Sequence, residues 1–174
     1  MASQIQMRRI TNAAVYINGN CLLGMAEEIK LPDITTLMTE HKALGMVGKI
    51  ELPSGFDKLE GEIKWNSYYP EVWATLNDPF TMVQLQCRSS VETWGAAGRT
   101  EQLPLVTFLT VLFKKNPMGS FKQNDNAEFS SGFSAYYVRQ QFGGKDMIEL
   151  DVLANIYKVG GADKLDLYRA NQGG

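Results

Sequence analysis

The sequence predicts an all-β domain, arranged as a sandwich or a barrel and carrying one short helix. Apolar and polar residues alternate along most of the 174-residue chain, which is the period-two pattern of half-buried strands. Short turn sequences separate several of these runs. The length suits one domain with a sizeable core, and 44% hydrophobic with 21% charged residues is typical of a globular chain. We therefore expect a single domain over residues 1–174.

The first part of the chain predicts a hairpin followed by two strands. Apolar runs flank Asn18-Gly19, and both of these residues tolerate the positive φ angles of a tight turn. Residues 27–34 alternate until Pro32 interrupts the pattern. Residues 59–66 alternate apolar with charged or polar side chains, so we expect this strand to have one buried and one wet face.

One segment, "YPEVWATLND" at residues 69–78, is a good helix candidate. Pro70 stands at the first helical position, where its missing N–H costs nothing. Val72, Trp73 and Leu76 then form an apolar stripe at helical spacing. We expect a single short helix here.

The second half of the chain predicts long strands joined by turns. In order, the segments are predicted as a half-buried strand (80–92), a glycine-bearing connection (93–102), a central strand that is apolar on both faces (103–113), a turn-rich loop (114–125), a long hairpin turning at Gly143-Gly144 (127–159) and a frayed C-terminal tail (169–174). This order of elements completes the all-β prediction.

Composition argues against two classes of function. A net charge of −2 does not suit a protein that gains affinity by neutralising nucleic-acid phosphates. No apolar run reaches the ~20 residues that a membrane span needs, so we expect no membrane anchor. The N-terminus lacks the apolar stretch of a secretory signal, and we expect the chain to be intracellular when made.

The residues that usually carry catalysis or bind metals are scarce. His41 is the single histidine, and no GxSxG elbow accompanies it, so we interpret it as a solvated or packing residue. Cys21 and Cys87 are far apart in sequence and are expected to be buried, reduced thiols. One histidine and two distant cysteines cannot supply a closed zinc site. We expect no catalytic residue, no metal, no cofactor and no enzyme activity.

The predicted sheet has edges, and an exposed sheet edge favours pairing with another chain, so we consider assembly of several copies. Identical subunits can satisfy each other's edges and close into one large barrel, and a head-to-tail contact of this kind generates rings. The wet strand faces would then line a wide polar lumen, with the lumen-facing residues Glu60, Glu62, Lys64, Gln84, Gln86 and Arg88. A monomeric sandwich with one face in water fits the same alternation.

The segment at about residues 40–58 reads as an extended loop that is too apolar to stand in solvent. Its glycine-punctuated first half carries Leu44, Met46 and Val47, which we expect to contact the next ring. Lys49, Asp57 and Lys58 are the polar residues of the same contact loop, and we expect Asp57 and Lys58 to help set the register of the contact.

The N-terminal arm, about residues 1–12, carries Arg8 and Arg9. We expect these arginines to reach a neighbouring subunit, with simple solvated positive charge as the alternative.

The order of motifs resembles a known family, the major tail tube proteins of contractile-tailed phages, which are related to the tubes of R-type pyocins and contractile injection systems. The similar stretches, covering about residues 8–170, are "RRITNAAVYINGNCLLGMAEEIKLPDI", "LGMVGKIELPSGFDKLEGEIKW", "YPEVWATLND", "LPLVTFLTVLFKKNPMGSFKQNDNAEF" and "IELDVLANIYKVGGAD" with a late Arg169. The segment "ETWGAAGRTEQ" and the tail "RANQGG" depart from the family pattern, which bears on the outer surface more than on the fold.

The resemblance implies a two-sheet tail-tube barrel or sandwich that assembles as a homohexamer, with stacked rings forming a rigid inner tube. It implies a sheath protein outside the tube, a baseplate or hub and a tail terminator at its ends, and tape measure protein and genomic DNA in the lumen without sequence-specific binding. Contraction would drive the tube through the host envelope and, in a phage, release DNA. The implied location is the virion tail, assembled in the host bacterial cytoplasm.

Two alternatives remain open at this point. The chain is alternatively the tube protein of a DNA-free tailocin or injection system. From a different class, it is a monomeric β-barrel carrier of a small apolar ligand, with Trp65, Trp73 and Phe108 inside.

Overall fold

A computed structural model describes residues 5–173. The strands are β1 Met7–Ile17, β2 Asn20–Cys21, β3 Ala26–Lys30, β4 Thr36–His41, β5 Ile50–Phe56, β6 Leu59–Trp65, β7 Val83–Gly95, β8 Gly98–Lys115, β9 Phe129–Phe142, β10 Lys145–Asp151, β11 Ile156–Val159 and β12 Ala162–Asp163, and the helices are α1 Pro70–Leu76 and α2 Asp166–Asn171. The predicted all-β class with a short helix is confirmed, and a second short helix, α2, lies near the C-terminus.

Ten of the strands form one antiparallel sheet, and the other two form a separate hairpin. The main path is β12-β11-β10-β9-β8-β7-β1-β2, with β6 beside β9 and β3 beside β6. Strands β4 and β5 pair only with each other. The two antiparallel sheets of the prediction are therefore present, although very unequal in size, and the described part of the chain forms no closed barrel.

The large sheet forks at β9. Strand β8 occupies one edge of β9 along most of its length. On the other edge, residues 129–135 of β9 pair with β6, and residues 137–142 pair with β10. Since β6 and β10 share this edge, the sheet divides into two arms that continue in different directions.

The core is a single apolar cluster on the inner face of the forked sheet. Its most deeply buried members include Ile63 on β6, Leu109 on β8 and Phe133 on β9, each with no exposed surface. Residues of β1, β7, β10 and α1 complete the same cluster. Strand β8 lies between β7 and β9, as its apolar character on both faces predicts.

Helix α1 covers one end of the core, and the predicted helix is confirmed. Pro70 is its first residue, and Val72 and Leu76 are the two side chains it buries. Trp73 packs edge-on against Phe129 of β9, with ring centroids 5.8 Å apart. The helix thereby fixes the N-terminal end of β9.

The structure confirms two of the predicted turns and differs from the prediction at a third connection. Asn18 and Gly19 adopt φ angles of 47° and 83°, as a tight hairpin between β1 and β2 requires. The turn at Gly143-Gly144 joins β9 to β10 as predicted, but the returning arm ends at Asp151 and reverses again into β11. The predicted connection at 93–102 is mostly strand, because the β7–β8 ladder continues to the pair Gly95–Gly98.

Residues near each end of the described part lie in regular secondary structure. Residues 7–12 of the expected N-terminal arm belong to β1 and pair with β7, while residues 1–4 lie outside the described part. Within the tail expected to fray, α2 continues to Asn171, and the Arg169 guanidinium bonds Asp163 at 2.6 Å and the Asn155 carbonyl at 2.8 Å. These bonds tie α2 to the sheet.

The two cysteines differ in environment. Cys87 is buried as expected, and burial raises the pKa of its thiol. Cys21 is exposed, contrary to the prediction, because the two-residue strand β2 lies at the edge of the sheet. Over residues 5–173 no helix is long and apolar enough to cross a membrane.

Candidate functional site: a projecting apolar hairpin and a polar sheet face

The segment predicted as an extended loop at 40–58 is mostly a β-hairpin. Strands β4 and β5 pair from Thr36–Phe56 to His41–Ile50, and residues 42–49 form the tip. The base is fixed to the body where Phe56 packs on Tyr157 with ring centroids 4.7 Å apart. Apart from such contacts at the base, β4 and β5 pack on each other and not on the large sheet. The hairpin therefore projects from the domain.

The hairpin exposes a set of large apolar side chains that a stable monomer would normally bury. Leu44 and Val47 at the tip are fully exposed, and Met46 is 39% exposed. The stem exposes four more apolar residues: Leu37, Met38, Ile50 and Leu52. A two-stranded hairpin is marginally stable alone in water, and a large contiguous apolar patch usually marks an interaction surface. The structure therefore places the three predicted apolar contact residues together at an uncovered tip.

The predicted polar residues of this segment have partners within the chain. Lys49 forms an ion pair with Glu40 at 2.8 Å, close to the point where Glu40 stands directly opposite Glu51. Like charges at directly opposite positions destabilise a strand pair, and Lys49 offsets this repulsion. His41 is exposed on β4, as expected.

Asp57 and Lys58 lie at the base of the hairpin and not at the tip. The Asp57 carboxylate accepts a hydrogen bond from the Lys58 backbone N–H at 2.7 Å. The Lys58 ammonium forms an ion pair with Glu60 at 3.1 Å. These two residues shape the passage from the hairpin into β6.

The six residues predicted to face a lumen lie on one face of the large sheet. Glu60 of β6 stands opposite Ser134 of β9, and Ser134 stands opposite Leu112 of β8. Thr110, two residues before Leu112 on β8, stands opposite Gln84 of β7. Its hydroxyl donates a hydrogen bond to the Gln84 side chain at 3.2 Å. Because directly paired residues point to the same side, this chain of pairs links both predicted triplets. The face they share is the one opposite the core.

The two triplets occupy opposite ends of that face. The β6 triplet, Glu60 to Lys64, lies beside residues 130–134 of β9. The β7 triplet, Gln84 to Arg88, lies beside residues 106–110 of β8, and these pair with residues 137–141 in the other half of β9. Three strand spacings, about 14 Å, also separate β6 from β7 across the sheet. The polar face is therefore a diagonal band and not a compact patch.

Charges on the β6 end of the band are balanced. Glu60 lies between Lys114 and Lys58, and hydrogen bonds from these two ammonium groups lower the pKa of its carboxyl. Lys64 pairs with Glu28 of β3 at 3.0 Å, which raises the pKa of Lys64. Glu60 and Lys64 therefore each have a partner of opposite charge on a neighbouring strand or turn.

The charged partners of the β6 residues on the polar face lie on other strands, so the sequence of β6 alone does not identify them. Glu28 and Lys30 stand directly opposite Lys64 and Glu62. Their alternation in the sequence shows which side of β3 is wet, but only the β3–β6 register shows which charges they meet.

Arg9, expected to reach a neighbour, is held by the chain itself. It bonds Glu92 of β7 at 3.0 Å and lies over the Trp94 ring at 5.2 Å. Glu92 also accepts bonds from the Trp94 indole at 3.0 Å and from Arg99 at 2.9 Å. These donors lower the pKa of Glu92 to about 2. The cluster pins the start of β1 to the β7–β8 hairpin.

Arg8 lies on the other face of β1 and is placed over the Phe142 ring at 5.5 Å. The contact of either arginine with a neighbouring subunit stays a prediction.

The three aromatic residues proposed to line a ligand cavity do not converge. Trp65 is in the core and donates a hydrogen bond to Ser131 at 3.0 Å. Trp73 lies on α1, and Phe108 lies on the polar side of β8, opposite Gln86. The arrangement does not support the apolar-ligand carrier.

The surface has a shallow recess of about 500 Å³ on the polar side of the sheet. It is lined by Met82, Thr110, Tyr136, Tyr137, Asp151, Leu153 and Ala154. Among residues 5–173, no group of three or more His, Cys, Asp or Glu side chains is placed to hold a metal ion.

Comparison with known proteins relates almost the whole chain to tail tubes. The family model described as phage tail tube protein FII matches residues 7–173. The tail tube protein of Escherichia phage P2 is 23% identical over 172 residues, covering 95% of this chain and 97% of the relative.

Solved structures of contractile injection systems share the fold. A chain of the sheath–tube complex of an extracellular contractile injection system (PVC), in the extended state, aligns with a TM-score of 0.56 at 15% identity, covering 74% of this chain and 87% of the other. A chain from the sheath/tube terminator of the same kind of particle gives 0.53 at 14%, covering 74% and 92%.

Proposed function

The chain belongs to the phage tail tube protein FII family, whose members are structural proteins and not enzymes, and we propose that it builds the inner tube of a contractile tail as stacked hexameric rings. A sheath protein surrounds this tube, and a baseplate or hub and a terminator close its ends. On sheath contraction the tube penetrates the host envelope, and in a phage it conducts DNA. The tube belongs to the virion tail and assembles in the host bacterial cytoplasm.

The projecting apolar hairpin is the observation that carries this proposal. Leu44 and Val47 are fully exposed in the single chain, which is unfavourable unless another molecule covers them. Burial of each such side chain contributes about 1.5–3 kcal/mol. In a ring, six hairpins act together because ring closure arranges them in advance, so modest single contacts give strong stacking.

The polar band suits a bore through which a polymer must slide. A bore lined mainly by lysine and arginine would bind a polyanion such as DNA. On the β6 end of the band Lys58, Lys64 and Lys114 each form an ion pair with a carboxylate, as in the pair Lys64–Glu28 at 3.0 Å. We propose that Glu60, Glu62, Lys64, Gln84, Gln86 and Arg88 line the lumen, where tape measure protein and DNA pass without sequence-specific binding.

Sedimentation and negative-stain microscopy of the purified protein test the assembly. The wild-type chain is expected to form rings and tubes, and a species that stays monomeric at high concentration would contradict the proposal. The double variant Leu44→Asp with Met46→Asp is expected to fold, since these side chains do not belong to the core, but to lose tube growth. Tubes of normal length from that variant would remove the hairpin tip from the mechanism.

A matched control separates this effect from a general change of surface charge. Leu167 and Met118 are 74% and 83% exposed and lie far from the hairpin in sequence. The double variant Leu167→Asp with Met118→Asp also replaces one exposed leucine and one exposed methionine, and it is expected to keep tube growth.

A further inference from the structure

We infer that the β1–β7 end of the polar face is a binding surface for the phosphate backbone of nucleic acid. The surface consists of Arg9, Arg88 and Arg99 with the aromatic rings of Tyr16 and Trp94, and it is called the arginine patch below. The inference rests on the proposed function, because it assigns to one end of the polar band a contact with the polymer in the lumen.

The three arginines lie on the same side of the sheet as the polar band. Arg88 and Glu92 are four residues apart on β7, so they point to the same side about 13 Å from each other. Arg9 of β1 stands directly opposite Glu92. The guanidinium of Arg99 on β8 bonds the Glu92 carboxylate at 2.9 Å and therefore lies on this side as well. The patch continues the β7 triplet of the band toward the turn between β7 and β8.

The arginine patch carries an excess of positive charge. Arg9 and Arg99 share the single carboxylate of Glu92, which they bond at 3.0 and 2.9 Å. Arg88 donates to the side-chain oxygen of Gln86 at 3.0 Å, and within residues 5–173 it forms no ion pair. Three positive charges therefore meet one negative charge.

The surroundings do not supply the missing negative charge. The row of pairs that crosses the sheet from Arg88 reaches a carboxylate only at Asp146, three strands away, and Arg139 already bonds it at 2.9 Å. Glu101 stands opposite Thr93, whose side chain is buried, so Glu101 belongs to the other face. The patch thus differs from the β6 end of the band, where the ion pairs bring each lysine a carboxylate.

The guanidinium groups are held in place and remain open to solvent. Arg9 lies over the Trp94 ring at 5.2 Å, and Arg88 lies over the Tyr16 ring at 5.3 Å. The side chains of Arg9 and Arg99 are 58% and 50% exposed, whereas the carboxylate that they share is 15% exposed. A ligand therefore meets the cations first, and little side-chain ordering is needed on binding.

A phosphate backbone suits this patch better than an acidic polypeptide does. Duplex DNA carries one negative charge per ~1.7 Å of its axis, so a row of guanidinium groups about 13 Å long meets phosphates in any register. A polypeptide meets the row only where its carboxylates match the spacing. Phosphate contacts of this kind are independent of sequence and allow sliding, which agrees with a polymer that passes along the bore. Six copies around one bore would add their weak contacts together.

Binding of a fluorescein-labelled DNA duplex to the full-length chain, followed by fluorescence anisotropy over a range of salt concentrations, tests the patch. Arg88→Gln removes one phosphate contact, so we expect the slope of log K against log salt to fall by about 0.9 and binding at about 50 mM salt to weaken about tenfold. Arg99→Gln is expected to act similarly while it leaves the Arg9–Glu92 pair in place. Arg88 is exposed, so its variant is expected to keep the thermal unfolding midpoint of the wild type.

Lys64→Gln is the matched control, because it removes the same charge from the other end of the polar face. Lys64 lies beside Ser130 of β9, whereas the row of Arg88 meets β9 at Gln141, so the two are eleven residues of β9 apart (141 − 130), on the order of 30 Å. This distance exceeds the screening length of roughly 14 Å at about 50 mM salt, and we expect a change in affinity of no more than about twofold.

Equal affinity and equal salt slope for the wild type, Arg88→Gln and Arg99→Gln would overturn the inference, and so would a wild-type chain that does not bind the duplex. Polyglutamate that displaces the duplex at equal concentration of charge would also overturn it, because the surface would then take an acidic polypeptide. These results would leave rings and tubes in the microscope, and with them the proposed function, intact. Duplex binding by a chain that forms neither rings nor tubes would support the binding surface, contradict the proposed function and remove the lumen as the place of contact.

Discussion

Gly61 of β6 offers a sharp test of how the polar band is attached to the core. It points to the core side between Glu60 and Glu62, directly opposite Phe133, which has no exposed surface. A Cβ atom at position 61 would stand 2.4 Å from Cζ of Phe133 and 2.6 Å from the carbonyl oxygen of Lys30. The backbone oxygen cannot move away without disturbing the β3–β6 ladder, so the variant Gly61→Ala must shift a strand or the buried ring.

The magnitude follows from two opposing effects. Overpacking a well-filled core costs about 1–3 kcal/mol. Replacing glycine by alanine restricts the unfolded chain and returns about 0.4–1 kcal/mol. Subtracting the middle of the second range, about 0.7 kcal/mol, from the middle of the first, about 2 kcal/mol, gives an expected net loss of unfolding free energy of about 1.3 kcal/mol for Gly61→Ala. For a domain of this size, each kcal/mol corresponds to about 2–4 °C in Tm, so we expect a fall of about 3–5 °C.

Thermal unfolding followed by circular dichroism measures this effect on the soluble, unassembled chain. Gly48→Ala is the matched control, because a Cβ there meets nothing within 4 Å and the φ angle is not in the left-handed region. We expect the control to change Tm by no more than about 1–2 °C, since substitutions away from such features stay within about 0.5 kcal/mol. A Tm for Gly61→Ala equal to or above that of the wild type would refute the packing argument.

Two further predictions concern strand β1, through its contact with Glu92 of β7 and its turn into β2. Glu92 has its pKa lowered from 4.5 to about 2, so its contribution to stability is present above pH 4.5 and is lost as the pH falls toward 2. We expect Glu92→Gln to lower Tm at pH 7 and the difference from wild type to shrink as the pH falls toward 2, and a difference that does not depend on pH would contradict this. Gly19→Ala places a side chain at a φ of 83° with open space around it, so backbone strain alone should cost about 1–2 kcal/mol in a denaturant titration. An unchanged denaturation midpoint would show that the turn relaxes.

Local chemistry was sufficient to predict the elements whose cause lies within a few residues. The Asn18-Gly19 turn and the proline-initiated helix at Pro70 depend on backbone φ preferences and capping, which the sequence displays directly. The exposed apolar tip was predictable for a similar reason, since Leu44, Met46 and Val47 stand among glycines without the alternation of a buried strand. Alternation likewise showed which residues of β6 and β7 would be wet.

The sequence by itself determined the all-β class, the wet and buried sides of the strands, and the family to which the order of motifs belongs. The tertiary structure decided what those sides face. It joined β6 to β7 through β9 and β8 on one polar face, gave Glu60 and Lys64 opposite charges as partners, and turned the expected loop into a hairpin. The physical reason is that alternation fixes the side to which a residue points, whereas strand order and register bring residues from distant positions together, and those depend on the whole core.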